Sequence, residues 1–553
     1  MVPRIFLYFC VLLLFANPAI CANESVNPPG NELHAVYTEA EIRIDPDHNL
    51  LKGNAILKLI GLSSGLKDIP IILNHELKVL SVTDNNGQVL PYERIEKTIH
   101  VHFPTDFYNN DTLILKVSYE GIFTERVPEL SFMEAFIGPK ISYALDRSHW
   151  YPIVSGTNSG SKGKIIYHVP INWIVTSSGR LAQEQLSDNE KQFVFEINDP
   201  VQYSFAAAPF KYLRKNIDGT EAGVFLLNGD MKKVKFYMDN CEKIVSFFKE
   251  YYGFFPYDGY SIVEIPQDLL GIAGGGSYSG LTFYIPGIFA ENVFFTPTFG
   301  HELGHIWWGN LIQSPDGPVI NEGLAQMSMG LYLEHVFGEK VFRSLLKNGD
   351  LEFQLWQSGR LYFQYVSQTN NHSQEYPGIF RGADMELGIN IPEKHQPLHT
   401  LANSKGFFIY FMLRDYIGKE AFREALRNTL NKYAWSNTLT LRLLQREFEN
   451  TSGKNLKWFF DQWFFRTGAP EFSINYKTNA SGTNYKVKGS IRQTRELYRV
   501  NPEILFIKGE SREIRNLEIK ARKTSFSFIL PFQPDTLLFD PEYKILRWIN
   551  EFK

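Results

Sequence analysis

Cysteine is close to absent from this chain. The 553 residues include three, Cys10, Cys21 and Cys241, and the first two lie in an N-terminal segment expected to be cut away. A mature chain left with Cys241 alone cannot close an internal disulfide, so core packing must hold it together. An excess of either charge is lacking too. With 56 Lys and Arg against 60 Asp and Glu, there is no electrostatic case for a nucleic-acid partner. The apolar run from Ile5 to Ala16 is about a dozen residues, short of the roughly 20 that span a bilayer. No internal repeat and no long low-complexity tract is present.

What is present is the composition of a folding chain, 44% apolar and 21% charged, long enough for several domains. Aromatic residues make up 15%, which we read as β-sheet packing in preference to carbohydrate stacking. Arg4, the apolar run and Pro18-Ala19-Ile20-Cys21-Ala22 give a basic start, an apolar centre and a small-residue end. That pattern predicts a signal peptide over 1–21, cut after Cys21 or alternatively after Ala22. The expected setting is secreted or periplasmic, with no stable membrane insertion after cleavage; a membrane anchor is the alternative. Sequons stand at Asn23, Asn110, Asn371, Asn450 and Asn479.

From about residue 30 to 215, short runs of alternating apolar and polar residues are broken by turn signals such as Asp84-Asn-Asn-Gly87. They predict a β-sandwich-like domain. Within it, Gly156 to Lys164 reads as a flexible loop. Near Asp230 the period changes, and Val234, Tyr237, Cys241, Ile244, Val245 and Phe248 recur at helical spacing. A mostly α region over 216–469 is expected, with helices over 232–252, 299–310, 322–337, 339–347, 406–417, 419–432, 440–450 and 457–465. After Pro470 alternation returns and predicts a small C-terminal β domain over 470–553.

Within the α region stands His301-Glu302-Leu303-Gly304-His305. On a helix, residues i and i+4 lie about 40° apart, so both imidazoles can face one ion. Glu302 is turned about 100° from His301, close to the metal without having to bind it, where it can take a proton from a water that the ion has acidified. A catalytic zinc needs a third protein ligand and an open fourth position. Glu322, reached through the turn Pro315-Asp-Gly-Pro318, supplies that ligand from the start of a second helix.

His301-Glu-Leu-Gly-His-Ile-Trp-Trp-Gly-Asn310 followed by Asn321-Glu-Gly-Leu-Ala325 resembles the aminopeptidase N-like family of zinc metallopeptidases, the gluzincins. Trp150-Tyr-Pro152, Val175-Thr-Ser-Ser-Gly179, Ser404-Lys405-Gly406 and Phe459-Phe-Asp-Gln-Trp463 with Gly468-Ala-Pro470 extend the likeness over most of the mature chain. The resemblance implies a multidomain α+β protein. Its parts would be an N-terminal β-sandwich-like domain, a thermolysin-like, mostly α zinc catalytic domain and a small C-terminal β-sandwich. It further implies one Zn2+ on His301, His305 and Glu322, Glu302 as general base, and a peptide or protein substrate.

Three departures stand out against that family. Sixteen residues, 306–321, separate His305 from Glu322, two fewer than is usual, and the Pro-Gly loop absorbs the difference. The family's exopeptidase signature falls on Gly274-Gly275-Gly276-Ser277-Tyr278, so the carboxylate that would meet a free α-amine is Ser277. The glycines still suit close approach by an extended substrate, or simply form a flexible loop. The oxyanion-stabilising Tyr of the family is Asn403 here, with Tyr278, Tyr376 or His399 as possible replacements. The sequence therefore predicts a secreted zinc metallopeptidase whose recognition of the amino terminus is altered. The alternative is a non-catalytic, zinc-stabilised peptide-binding protein.

Overall fold

The computed structural model describes residues 33–61, 66–127, 132–154, 160–270, 275–290, 294, 296–340, 342–343, 402–466 and 469–547. The leader expected over 1–21, Gly274, the helix end expected at 344–347, Tyr376, His399 and Gly468 lie outside them. The chain forms two compact units. One takes the residues up to Phe295 with His305–Leu311 and Trp435–Asn437; the other takes Thr296–Gly304, Ile312–Ala434 and Thr438–Lys553.

In the first unit the alternating stretches become strands. A seven-stranded sheet runs in the order Arg180–Leu186, Glu190–Val201, Ser161–Pro170, Leu33–Asp45, Leu50–Gly61, Thr112–Ile122, Lys78–Thr83. In Leu50–Gly61, Leu51, Ala55, Leu57 and Leu59 point into the core while Lys52, Asn54 and Lys58 point out. Each leucine buried this way stabilises the fold by about 1.5–3 kcal/mol. The stretch read as a loop over 156–164 is corrected from residue 161 onward. Ser161–Pro170 is a strand parallel to Leu33–Asp45, with Tyr37 opposite Lys162 and Arg43 opposite His168. Gly163 misled the reading because it serves close approach: a Cβ there would sit 2.0 Å from the Thr38 carbonyl oxygen.

A second departure from expectation follows Asp230. Asp230 caps helix α1, Met231–Tyr252, by accepting from the Lys233 amide at 3.0 Å, and Gly253 ends it at φ 93°. Beyond it the chain returns to β structure. The sheet order is Lys211–Ile217, Thr220–Leu226, Gly259–Glu264, Leu281–Tyr284, Gly275–Tyr278, with the short helix α2, Gln267–Leu270, between strands. Gly259–Glu264 is buried at every residue, so it carries no alternation for a sequence reading to detect. The boundary expected at 215/216 falls inside Lys211–Ile217. Cys241 is buried in the inner face of α1, and burial with the neighbouring Glu242 pushes its thiol up to about 12, which suppresses its reactivity.

The second unit carries α3 (Thr296–Gly304), α4 (Pro318–Phe337), a π-helical turn (Ala402–Gly406), α5 (Phe407–Ile417), α6 (Lys419–Tyr433), α7 (Leu441–Ser452) and α8 (Lys457–Trp463). Two expected bounds shift by a full turn or more. α3 ends at Gly304 instead of reaching Asn310, and α4 starts at Pro318, whose fixed φ suits a first helical position, four residues before Glu322. The chain closes with two three-stranded sheets. One runs Phe472–Ser481, Asn484–Gln493, Lys523–Leu530; the other runs Ser511–Asn516, Glu503–Lys508, Thr536–Phe539. The protein is thus multidomain α+β, with an N-terminal β-rich part, a central helical part and C-terminal sheets. Among the described residues no helix is long and apolar enough to cross a membrane.

One half-buried acid of the first unit gives a stability test. Burial and then the neighbouring Asp258 carboxylate push Asp199 from 3.8 up to about 6. The folded state therefore binds this proton more tightly than the unfolded chain, and stability is lost as pH rises from the lower value through the higher one. Asp199→Asn is expected to gain about 1–2 kcal/mol at neutral pH, discounted for partial exposure, and nothing in acid below the lower value. Urea melts at the two pH values check both halves.

Candidate metal centre

α3 and α4 pack unusually closely, and small residues are the reason. A Cβ on Gly300 would lie 3.2 Å from the Met329 Cα, and one on Gly304 would lie 2.8 Å from the Ser328 Cβ and 2.9 Å from the Ala325 carbonyl oxygen. The two glycines are i and i+4, so they make one bare strip along α3. The Ser328 hydroxyl turns back to its own helix, donating to the Leu324 carbonyl at 2.7 Å, which leaves its Cβ as the contact. α4 is buried on every side from Val319 to Leu333, as a helix with no polar face must be.

That seam places the ligands. Glu322 stands one turn before Ala325 on the strip of α4 that meets α3, and His301 and His305 each follow one of the seam glycines. Nitrogens of His301 and His305 and a carboxylate oxygen of Glu322 lie within 4.8 Å of one another. His301 Nε2 is 3.5 Å from Glu322 Oε2. Glu322 is 1% exposed and His305 4%, so the donors lie under the surface. Glu302, on the same turn of α3, is also buried.

His305 is held by the segment after α3. Its Nδ1 lies 3.0 Å from the Trp308 carbonyl oxygen. A carbonyl only accepts, so Nδ1 carries the proton and Nε2 keeps its lone pair for a metal. Trp308 is fixed in turn, its Nε1 donating to the Tyr252 hydroxyl at 3.2 Å. Trp307 packs on the Phe248, Tyr252 and Phe255 rings at centroid separations of 5.6, 4.8 and 5.3 Å. Gly309, at φ 122°, turns the chain further along, beyond the end of α3.

The donors fit zinc. Two imidazole nitrogens and one carboxylate oxygen form an open catalytic ligand set. Three atoms bound to one ion at ~2.1 Å in tetrahedral geometry sit about 3.4 Å apart, and the His301–Glu322 pair already meets that spacing. The cluster holds three ligands among the described residues, which leaves a fourth position for water or substrate.

The other expected site residues are placed as follows. Gly275, Gly276, Ser277 and Tyr278 form a strand antiparallel to Leu281–Tyr284, with no strand on its other side among the described residues, the arrangement to which an extended chain can add. The Ser277 hydroxyl accepts from Asn310 Nδ2 at 3.4 Å. Tyr278 is buried beneath Arg147, whose guanidinium stands 5.5 Å from the ring centroid and pairs with Glu134 at 2.9 Å. Asn403 belongs to the π-helical turn, and its side chain is outside the described residues. The seam residues Gly300, Gly304 and Ser328 were missed by the sequence reading. The repeat of glycine four residues apart was the signal that could have found them.

A two-histidine, one-glutamate cluster on a packed helix pair is the ligand set of a zinc-dependent hydrolase. Residues 236–463 match the Peptidase family M1 domain. Aminopeptidase M1-B of Oryza sativa subsp. japonica is 23% identical over 344 residues, 59% of this chain and 37% of its own length. The chain thus spans little more than a third of that relative. An M1 zinc metallopeptidase of Deinococcus radiodurans, solved with a bound Tyr-Ser-Ala substrate, superposes with a TM-score of 0.62 at 15% identity, over 78% of this chain and 94% of that one. Aminopeptidase A of Legionella pneumophila, solved with aspartic acid, gives 0.69 at 14% identity, over 94% of this chain and 60% of that one.

The seam can be tested directly. Alanine favours a helix over glycine by up to about 1 kcal/mol, yet Gly304→Ala is expected to destabilise by about 1–3 kcal/mol and to weaken zinc retention, because its Cβ meets backbone. Gly287→Ala, where an added Cβ meets nothing within 4 Å, is the control. Zinc content after dialysis against a chelator, with thermal melts of both variants, reads the difference.

Proposed function

We propose that this chain is a zinc-dependent metallopeptidase acting outside the cytosol. The observation that carries the reading is the ligand cluster of His301, His305 and Glu322 with Glu302 buried on the same helical turn. Zinc held there supplies Lewis acidity, polarising a scissile carbonyl and lowering the pKa of water. Glu302 then does the proton work. Its carboxylate takes a proton from the attacking water and returns it to the leaving amine as the C–N bond breaks. His305 would offer its Nε2 to the ion, because the Trp308 carbonyl holds the opposite nitrogen.

The edge strand Gly275–Tyr278 suits an extended peptide, its backbone groups pairing with those of the substrate. The tripeptide and the amino acid held by the two structural neighbours agree with a peptide substrate. Ser277 offers a hydroxyl where the family's signature has a carboxylate, so nothing at that position pairs the ammonium of a free amino terminus. We therefore read the specificity as indifferent to a free α-amine. Export rests on the basic, apolar and small-residue pattern over 1–21. The loss of the carboxylate at 277 also favours a second reading, a zinc-stabilised peptide binder without turnover.

Cleavage of one peptide series with free and with acetylated amino termini separates these readings. The wild type is expected to cut both, and Glu302→Gln to lose about 10²–10⁴-fold in kcat with zinc retained. Ser277→Glu is expected to shift preference toward the free amine. Turnover of free-amine peptides alone by the wild type would remove the specificity reading; zinc binding without any turnover would leave the binder.

A further inference from the structure

The sheet of Phe472–Ser481, Asn484–Gln493 and Lys523–Leu530 has one face turned to solvent. Val487, Ile491, Phe526 and Leu530 are buried on its other side, and strict alternation assigns the outward positions. The registers place Lys477 directly opposite Lys488, and Arg492 directly opposite Lys523. Lys486 lies on the same face, two residues before Lys488. The remaining outward positions on the three strands are serines, asparagines and Ile529, with no acid among them. At the sheet edge Arg515 donates to the Ile529 carbonyl at 3.5 Å, and Glu513, 2.6 Å from it, matches its charge. Among the described residues Lys477, Lys486, Lys488, Arg492 and Lys523 make no ion pair.

Like charges directly opposite each other destabilise a sheet, and opposite charges there would do the reverse. This arrangement occurs twice on one face of a chain whose net charge is −4. We infer that the face is a docking surface for an anionic lipid bilayer, bound at its headgroups without insertion. Charge complementarity carries the inference, and the layout of the charges selects the partner. Lys477 is on one edge strand and Lys523 on the other, and Lys488 and Arg492 stand about 14 Å apart along the central strand. The cations therefore occupy an area. A plane of phosphates meets all of them at once, whereas a linear polyanion meets one row. The face carries no aromatic ring on which single-stranded nucleic acid could stack.

Sedimentation of the full chain with vesicles tests this. It is expected to pellet with mixed phosphatidylcholine and phosphatidylglycerol vesicles at low ionic strength and not with phosphatidylcholine alone. Release is expected at about 1 M salt, where the Debye length falls to about 3 Å. Lys488→Glu changes the local charge by two and should weaken binding about 25-fold, about five-fold per charge. The same variant should melt no lower than the wild type, because it sets an acid opposite Lys477. The inference is overturned by failure to pellet with the mixed vesicles, by unchanged binding of Lys488→Glu, or by binding to dextran sulfate or duplex DNA without binding to vesicles.

Discussion

The bare strip of Gly300 and Gly304 against α4 is the contact on which the chemistry of this protein depends. Two helices faced with ordinary side chains pack 8–10 Å apart, and a glycine strip lets them come nearer. The histidines follow the two glycines in sequence, and Glu322 stands on the opposing strip, so one close contact fixes both sides of the ligand set. The same contact buries Glu322 almost completely. A carboxylate so deep costs several kcal/mol in lost hydration, and a cation among the three donors offsets that cost. Metal affinity and helix packing are for this reason one quantity in this region.

Much of this was legible in the sequence, because the relevant signals were local. The spacing of His301 and His305 needs only helical periodicity, and the recurrence of Val234, Tyr237, Cys241 and Phe248 marks α1 in the same way. Alternation in Leu50–Gly61 declares a half-buried strand. What escaped were features set by tertiary contact. Gly163 reads as a turn until the backbone of a distant strand is seen to pass over it, and the fully buried Gly259–Glu264 has no polar side to alternate with. The end of α3 at Gly304 depends on Trp307 and Trp308 finding rings on α1, which no property of the 299–310 segment encodes.

Metal chemistry and substrate reading rest on different kinds of structure. The ligands stand on buried helices, where any change of volume disturbs several neighbours. The residues that would read a substrate stand on an edge strand, where, among the described residues, the Ser277 hydroxyl accepts one long hydrogen bond from Asn310. A substitution at 277 disturbs little else, so the identity of that side chain is free to follow the substrate while the metal ligands stay fixed.

The parallel pairing of Leu33–Asp45 with Ser161–Pro170 bears on how the chain is made. The first strand meets its hairpin partner, Leu50–Gly61, at once, but its other neighbour arrives more than a hundred positions later. At roughly 5–20 residues per second of synthesis, that interval is on the order of ten seconds, during which one edge of the strand stays open. The largest sheet therefore cannot close until that second neighbour has been made, and the open edge of Leu33–Asp45 has to wait for it.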